Sequence, residues 1–191
     1  AVFDSDAVEF GAGMLKAKAL DDRVGCAVMM KLIEEDLPLD CTFAFTVQEE
    51  VGTRGAFGAA FSVEPEIALV LETTTAADLA GAPGHKQVCA LGRGPVVPFM
   101  DGGSVADRRL YELMRELAEQ DGIPWQTKHY LAGGNDAAAI QRTKAGVRTV
   151  VMSAAVRYLH APASVACIQD LDDMLKLARL FLKAVAERED I

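Results

Sequence analysis

The sequence predicts an α/β fold, a three-layer α-β-α sandwich around a mainly parallel or mixed sheet, and three observations predict it. Stretches of strand character at residues 41–47, 66–72, 125–131 and 148–152 alternate with stretches whose apolar residues recur at helical spacing. The 191 residues suffice for one well-filled α/β core and are few for two full domains. A composition of 51% hydrophobic and 25% charged residues is that of a globular chain.

The elements follow in order. After a polar, glycine-containing opening, Asp21-Asp22-Arg23 precedes Val24, Ala27, Val28 and Leu32, a spacing that predicts a helix of about three turns ending near Pro38. Acids at its start suit the helix dipole. Residues 41–47 alternate and carry Thr, Phe and Val, the pattern of a half-buried strand. Small residues over 54–61 fit a short helix, and 66–72 reads as a second, more fully buried strand, completing a β-α-β rhythm. Gly81, Pro83, Gly84, Gly92, Gly94 and Pro95 make 80–97 a region of loops and short edge strands. Ser104-Val105-Ala106-Asp107 has the form of a capping box, and Leu110, Leu113, Met114 and Leu117 continue it as a helix to about Gln120. A strand at 125–131, a helix at 136–142 and a strand at 148–152 follow. Residues 170–187 form the closing helix, with Leu171, Met174, Leu175, Ala178, Leu182 and Val185 on one face.

Charge and patterning exclude several functions. A formal charge of -9 without any basic cluster leaves nothing to neutralise nucleic-acid phosphates, and the same charge attracts cations. The longest apolar stretches, such as 67–71, are far too short to span a membrane. Cys26, Cys41, Cys89 and Cys167 lie far apart with no CxxC pairing, as expected of reduced thiols in the cytoplasm. The chain opens on Ala1 with no signal-like segment, which reads as a cut end.

The most informative stretch is Thr46-Val47-Gln48-Glu49-Glu50-Val51-Gly52. Two adjacent carboxylates closing an apolar strand are costly to desolvate unless each is occupied, and a metal ligand beside a proton acceptor would occupy both. Asp21-Asp22 before a helix, Glu72 at a strand end and His160 in a loop complete a candidate set. All lie at element ends, where sheet folds gather their sites. Carboxylates with imidazole suit Zn, Mn or Co. Each residue also has a plain reading as a solvated strand end, a helix-start acid or a loop histidine. His85 and His129 are weaker candidates, and Gly133-Gly134-Asn135-Asp136 fits a strand-to-helix turn with Asn135 or Asp136 as N-cap, or a nest of backbone donors near a substrate. A glycosidase pair flanking a sugar bond at about 5 to 9 Å is a competing use of the acids. Neighbours in a strand point to opposite faces, which disfavours it.

These residues resemble the cytoplasmic metallo-aminopeptidases that include glutamyl aminopeptidases and tetrahedral, twelve-subunit aminopeptidases, some members of which were first described as cellulases. The resemblance rests on Lys18-Ala19-Leu20-Asp21-Asp22-Arg23-Val24-Gly25, 47–52, 71–78, Gly84-His85-Lys86-Gln87, 131–140 and Arg157-Tyr158-Leu159-His160. It implies two divalent metals per complete subunit, zinc or cobalt first and manganese next. By it, Asp21 bridges the metals, Glu50 and His160 bind one, Glu72 binds the other, Asp22 fixes the bridging residue and Glu49 is the general base. Glu72 stands where many members have aspartate. The implied reaction is removal of N-terminal residues from short peptides by a metal-activated water. The implied assembly is a dimer-based homo-oligomer of up to twelve subunits, with no nucleic-acid or membrane partner.

The family's remaining ligand, a histidine two residues before an aspartate, lies upstream of the Lys18 segment, with a β-rich dimerisation domain between. Residues 1–191 are therefore expected to be the carboxy-terminal part of the catalytic domain, with 1–17 the return from the dimerisation domain and one metal site short of its histidine. Weak or absent activity is expected of these residues alone. The alternatives are a non-catalytic homologue that binds peptides or partners, and a glycoside hydrolase. Arg54, Lys86, Arg93 and Arg108 are the candidate cations for an acid-selective pocket.

Overall fold

The structure is a computed structural model that describes residues 3–188 and 191, so Ala1 and the question of the chain start lie outside the described residues. The strands are β1 (Val8–Phe10), β2 (Met14–Ala17), β3 (Ile67–Thr75), β4 (Arg148–Arg157) and β5 (Ser164–Cys167), and the helices are α1 (Leu20–Ile33), α2 (Arg54–Val63), α3 (Arg108–Gln120), α4 (Ala137–Ile140) and α5 (Ile168–Glu187). The strands form one mixed sheet in the order β1-β2-β5-β4-β3. Only β3 and β4 are parallel, in register from Ile67 opposite Arg148 to Thr75 opposite Val156, and the remaining pairs are antiparallel.

Alternation along β4 generates the layers. Val150, Met152, Ala154 and Val156 pack with Val24, Val28 and Leu32 of α1, Leu110 and Met114 of α3, and Met174, Leu177 and Phe181 of α5. On the opposite face Val151 meets Val70 and Ala137 of α4, and Ala155 meets Ala76, Val88, Cys89 and Val96. The expected three-layer sandwich is thus present. Burying a side chain the size of Leu110 or Phe181 contributes about 1.5–3 kcal/mol, so the α1/α3/α5 face supplies most of the stabilisation.

Four readings of the sequence are corrected. Residues 41–47 join no ladder among the described residues: β3 has its far edge unpaired, and a cavity of about 1070 Å³ is lined both by β3 and by 39–46. Strand pattern alone does not make a strand without a neighbour. Residues 125–131 form no strand either. Their partner, 88–97, is interrupted by Gly92, Gly94 and Pro95, and backbone pairing is reduced to Val97 N–H on Gln126 O, Gln126 N–H on Pro95 O and His129 N–H on Val88 O, with the Gln126 side chain bonding Ala90 and Gly94 instead. Those breaks also leave 80–97 without the expected edge strands, with only a 3₁₀ turn at Gly84–Lys86 and the isolated bridges of Val96. The α3 cap is Asp107, which accepts the Leu110 N–H at 3.1 Å, while the Ser104 hydroxyl donates to Asp101 instead. Asp107 also holds Arg148 in a two-pronged pair at 2.9 and 3.1 Å, tying the start of α3 to the start of β4. The hairpin β1-β2 and strand β5, unanticipated from the sequence, extend the sheet.

Asp170, 1% exposed at the start of α5, fastens the glycine-rich loop by accepting the N–H groups of Gly92 at 2.8 Å and Gly94 at 2.7 Å. Replacing it strands two N–H donors, one of the bonds being fully buried. Asp170→Ala is expected to lower the unfolding free energy by about 3 kcal/mol, whereas Asp172→Ala at an exposed position changes it by less than about 0.5 kcal/mol, both read by urea unfolding.

Candidate metal centre

The acid pair is placed by a tight turn. Gln48 has a left-handed φ of 61°, and the Glu49 carbonyl accepts the N–H groups of Gly52 at 3.0 Å and Thr53 at 2.9 Å. The start of α2 presses on this turn: a Cβ on Gly55 would come within 2.6 Å of the Val47 nitrogen, so only glycine fits. At the start of α1, Asp21 and Asp22 have non-helical backbone, joined by a cis peptide, and the regular helix begins at Arg23. Asp22 Oδ1 accepts the Gly25 N–H at 2.9 Å. Gly25 lies so close to β3 that a Cβ would come within 2.6 Å of the Leu71 carbonyl, which brings α1 against the strand that carries Glu72. His160 follows β4 in a turn where Tyr158 and His160 both take left-handed φ, 60° and 63°, and the Ala161 N–H closes on Tyr158 O at 3.0 Å. Non-glycine residues in this region are uncommon and cluster at functional sites.

Three of the predicted residues converge. His160 Nε2 lies 3.3 Å from Asp21 Oδ2 and 3.4 Å from Glu50 Oε2, and one ligand atom from each residue falls within 4.8 Å of the others. Glu72 stands outside that trio. Its Oε1 accepts the Asn135 amide and the Ser153 hydroxyl, each at 3.0 Å. Asp21, Asp22, Glu49, Glu50, Glu72 and His160 all line the 1070 Å³ cavity. The cations beside them are Arg23 and Lys128; Arg54, Lys86, Arg93 and Arg108 are absent from the lining, as are His85 and His129.

The electrostatics are those of crowded, poorly solvated acids. Burial raises Glu72 to about 8, against the pull of Lys128 and the Ser153 bond, and raises Asp22 to about 7 with Asp21, Glu49 and Asp136 adding repulsion. Glu49 rises to about 6 through burial, then through Asp136, Glu50 and Asp21, with His160 opposing. Asp136 is itself raised by burial; its Oδ2 accepts the Thr46 hydroxyl at 2.5 Å, while Oδ1 is buried without a partner. Oxygen and imidazole donors in a cavity with this much unneutralised carboxylate fit a divalent cation such as Zn, Co or Mn. Asp21, Glu50 and His160 are the residues that would hold one ion.

Sequence reading misses Asp101 and Lys128, and it offers Asn135 and Asp136 as part of a turn or a backbone-donor nest, without a role for their side chains in the site. Asp101-Gly102-Gly103-Ser104 is a recognisable Asx-turn signature, the one local signal that was available.

Comparison with known proteins shows the family. The chain belongs to the M42 glutamyl aminopeptidase family, whose description matches residues 1–177. It is 33% identical over 169 residues to the lysyl aminopeptidase of Pyrococcus furiosus, a match covering 86% of this chain and 47% of that one. Among solved structures, an aminopeptidase from Desulfurococcus kamchatkensis superposes with a TM-score of 0.91 at 36% identity, over 95% of this chain and 52% of that one. A Pyrococcus horikoshii TET1 peptidase, described as assembling into a tetrahedron or a large octahedral shell, gives 0.77 at 29% identity, over 94% and 53%. The chain thus spans about half the length of the relatives it matches. Among the described residues no helix is long and apolar enough to cross a membrane.

The raised acids fix the sign of a pH effect. Between their ordinary values of 4.5 and 3.8 and the folded values of about 8 and 7, Glu72 and Asp22 hold more protons folded than unfolded. Their contribution is therefore complete below about pH 4 and is lost as pH rises through 7 to 8. In chelator, Tm is expected to fall over that upper range, Glu72→Gln to flatten the fall, and added zinc or cobalt to reverse it at pH 8. A metal-free Tm that climbs with pH, equally in both proteins, would contradict this account.

Proposed function

We propose that the full-length protein is a metal-dependent aminopeptidase that removes N-terminal residues from short peptides. The observation that carries this reading is the meeting of Asp21, Glu50 and His160, from three segments far apart in sequence, within 4.8 Å in a chain of this family. Asp21, Glu50 and His160 would hold one ion and Glu72 would serve a second, with Asp21 shared between them and Asp22 fixing Asp21. Two bound divalent ions supply Lewis acidity, polarising the peptide carbonyl and acidifying water.

The chain's own groups handle the protons and the orientation. Glu49 accepts the proton of the attacking water and returns it to the leaving amine. Its affinity, raised to about 6, is matched to exchange near neutral pH. The free amino end of the peptide seats among the acids of the cavity wall, which gives exopeptidase selectivity. A glycosidase reading finds no comparable support, since the acids gather around an imidazole.

Residues 1–191 are, in this reading, the carboxy-terminal part of the catalytic domain, with 1–17 returning from a dimerisation domain. Support comes from their share of the relatives' length and from β3, whose apolar far edge faces a cavity. The whole protein assembles as a dimer-based homo-oligomer, as the TET1 neighbour's description suggests by likeness. Four free thiols, one of them exposed, support a cytoplasmic location.

In the full-length protein, Glu49→Gln is expected to lower turnover of short peptides about 10²- to 10⁴-fold while leaving the metal content per chain unchanged. Retained turnover would overturn the assignment of Glu49, and turnover that survives complete metal removal would overturn the reaction class.

A further inference from the structure

Asn135 is 2% exposed and spends its whole amide on three fixed partners. Its Oδ1 accepts the Ala137 N–H at 2.8 Å, which settles the orientation of the amide, because a backbone N–H can only donate. Both Nδ2 hydrogens then point at carboxylates, Glu72 Oε1 at 3.0 Å and Asp101 Oδ2 at 2.9 Å.

The Asp101 side of this bridge is rigid. Asp101, 5% exposed, accepts the N–H groups of Gly103 at 2.8 Å and Ser104 at 2.7 Å through Oδ1 and the Ser104 hydroxyl at 2.9 Å through Oδ2. The turn is stapled to the Asn135 segment by the Gly102 N–H on Gly133 O at 2.8 Å, and a Cβ on Gly103 would press on Ala138. On the Glu72 side, Asn135 and Ser153 both donate to the same oxygen, Oε1. With Oε1 held by two donors the carboxylate is restrained, and among the described residues Oε2 is the oxygen that accepts no hydrogen bond, on a residue that lines the cavity.

We propose that Asn135, anchored by Asp101, is the positioning residue that aims the free oxygen of Glu72 at its metal. This rests on the reading of Glu72 as a metal ligand. A buried amide satisfied only by backbone would stabilise the turn equally well; one that joins two carboxylates from separate segments transmits the position of one to the other. Outer partners of metal ligands fix ligand orientation, and their loss weakens metal binding about 10- to 100-fold.

The test uses the full-length protein, with cobalt as the probe. Cobalt affinity for each of the two sites is measured by competition with a chelator, and the visible spectrum of the bound ions is recorded, for wild type, Glu72→Gln, Asn135→Ser and Asp101→Asn. Asn135→Ser keeps an oxygen for the Ala137 N–H and loses the reach to Glu72. Asp101→Asn never touches Glu72 and opposes one amide donor with another, so it reads the relay independently and serves if the first variant does not fold. The expected result is weaker binding and an altered spectrum for one ion of the two, by about 10-fold or more in Asn135→Ser. Saturating cobalt restores turnover in that variant, which a merely structural defect would not allow. Wild-type affinity at both sites in Glu72→Gln overturns the ligand reading and this inference with it. A loss in Glu72→Gln alongside wild-type affinities in Asn135→Ser and Asp101→Asn overturns the positioning role alone.

Discussion

The parallel pairing of β3 with β4 is the constraint on which the rest of the molecule depends. Nine residues of each strand are in register, and because the strands are parallel their carboxy-terminal ends deliver parts of the site on the same side of the ladder. Glu72 sits near the end of β3, opposite Ser153 of β4, so the hydroxyl that clamps the carboxylate is supplied by the ladder itself. Beyond it, β4 runs on to Arg157, whose guanidinium grips Asp78 at 2.7 and 2.8 Å, and then into the turn that presents His160. Burial tends to raise the Asp78 carboxyl, yet Arg157 and the Leu91 N–H together hold it below its usual range, so the pair stays ionised where the chain leaves the sheet. Two glycines, Gly25 and Gly55, then let α1 and the α2 turn approach closely enough to bring their acids to the same cavity.

What the fold assembles is electrostatically unfavourable on its own. Asp22, Glu49, Glu72 and Asp136 are each pushed toward their neutral forms by burial, and repulsion from neighbouring acids adds to that at Asp22, Glu49 and Glu72. The framework tolerates this because it is held elsewhere, by the apolar packing of α1, α3 and α5 on the sheet and by bonded anchors such as Asp170 and Asp107. Placing a demanding site on the less packed side of a well-packed scaffold is a common division of labour in α/β proteins.

Much of this was legible in the chain. Helical spacing located α1, α3 and α5, because each buries one stripe against the sheet, and three of the candidate residues, Asp21, Glu50 and His160, converge. Legibility failed wherever the answer depended on a distant neighbour. Residues 41–47 have a strand's pattern and no ladder; 125–131 have the pattern and a partner broken by glycine and proline. The strands of the hairpin β1-β2 are only three and four residues long and exposed or half-buried, so only pairing with β5 makes them part of the sheet. Ser104 looked like a cap because Asp101, three residues earlier, was not weighed as a competitor for its hydroxyl. Asn135 carries no chemistry of its own, and its importance lies in what surrounds it.

The far edge of β3 has one more consequence, for how copies of this chain behave toward one another. An unpaired strand offers a row of amide donors and acceptors that any extended segment can use, including the same segment of a second molecule. Residues 39–46, which line the same cavity, stand in the way of such contact, and the net charge of -9 opposes it at long range. That protection shrinks with ionic strength, since the screening length falls from about 30 Å at 0.01 M to about 10 Å at 0.1 M. The acidity that draws cations to the cavity therefore also keeps these strands apart, and salt weakens both effects together.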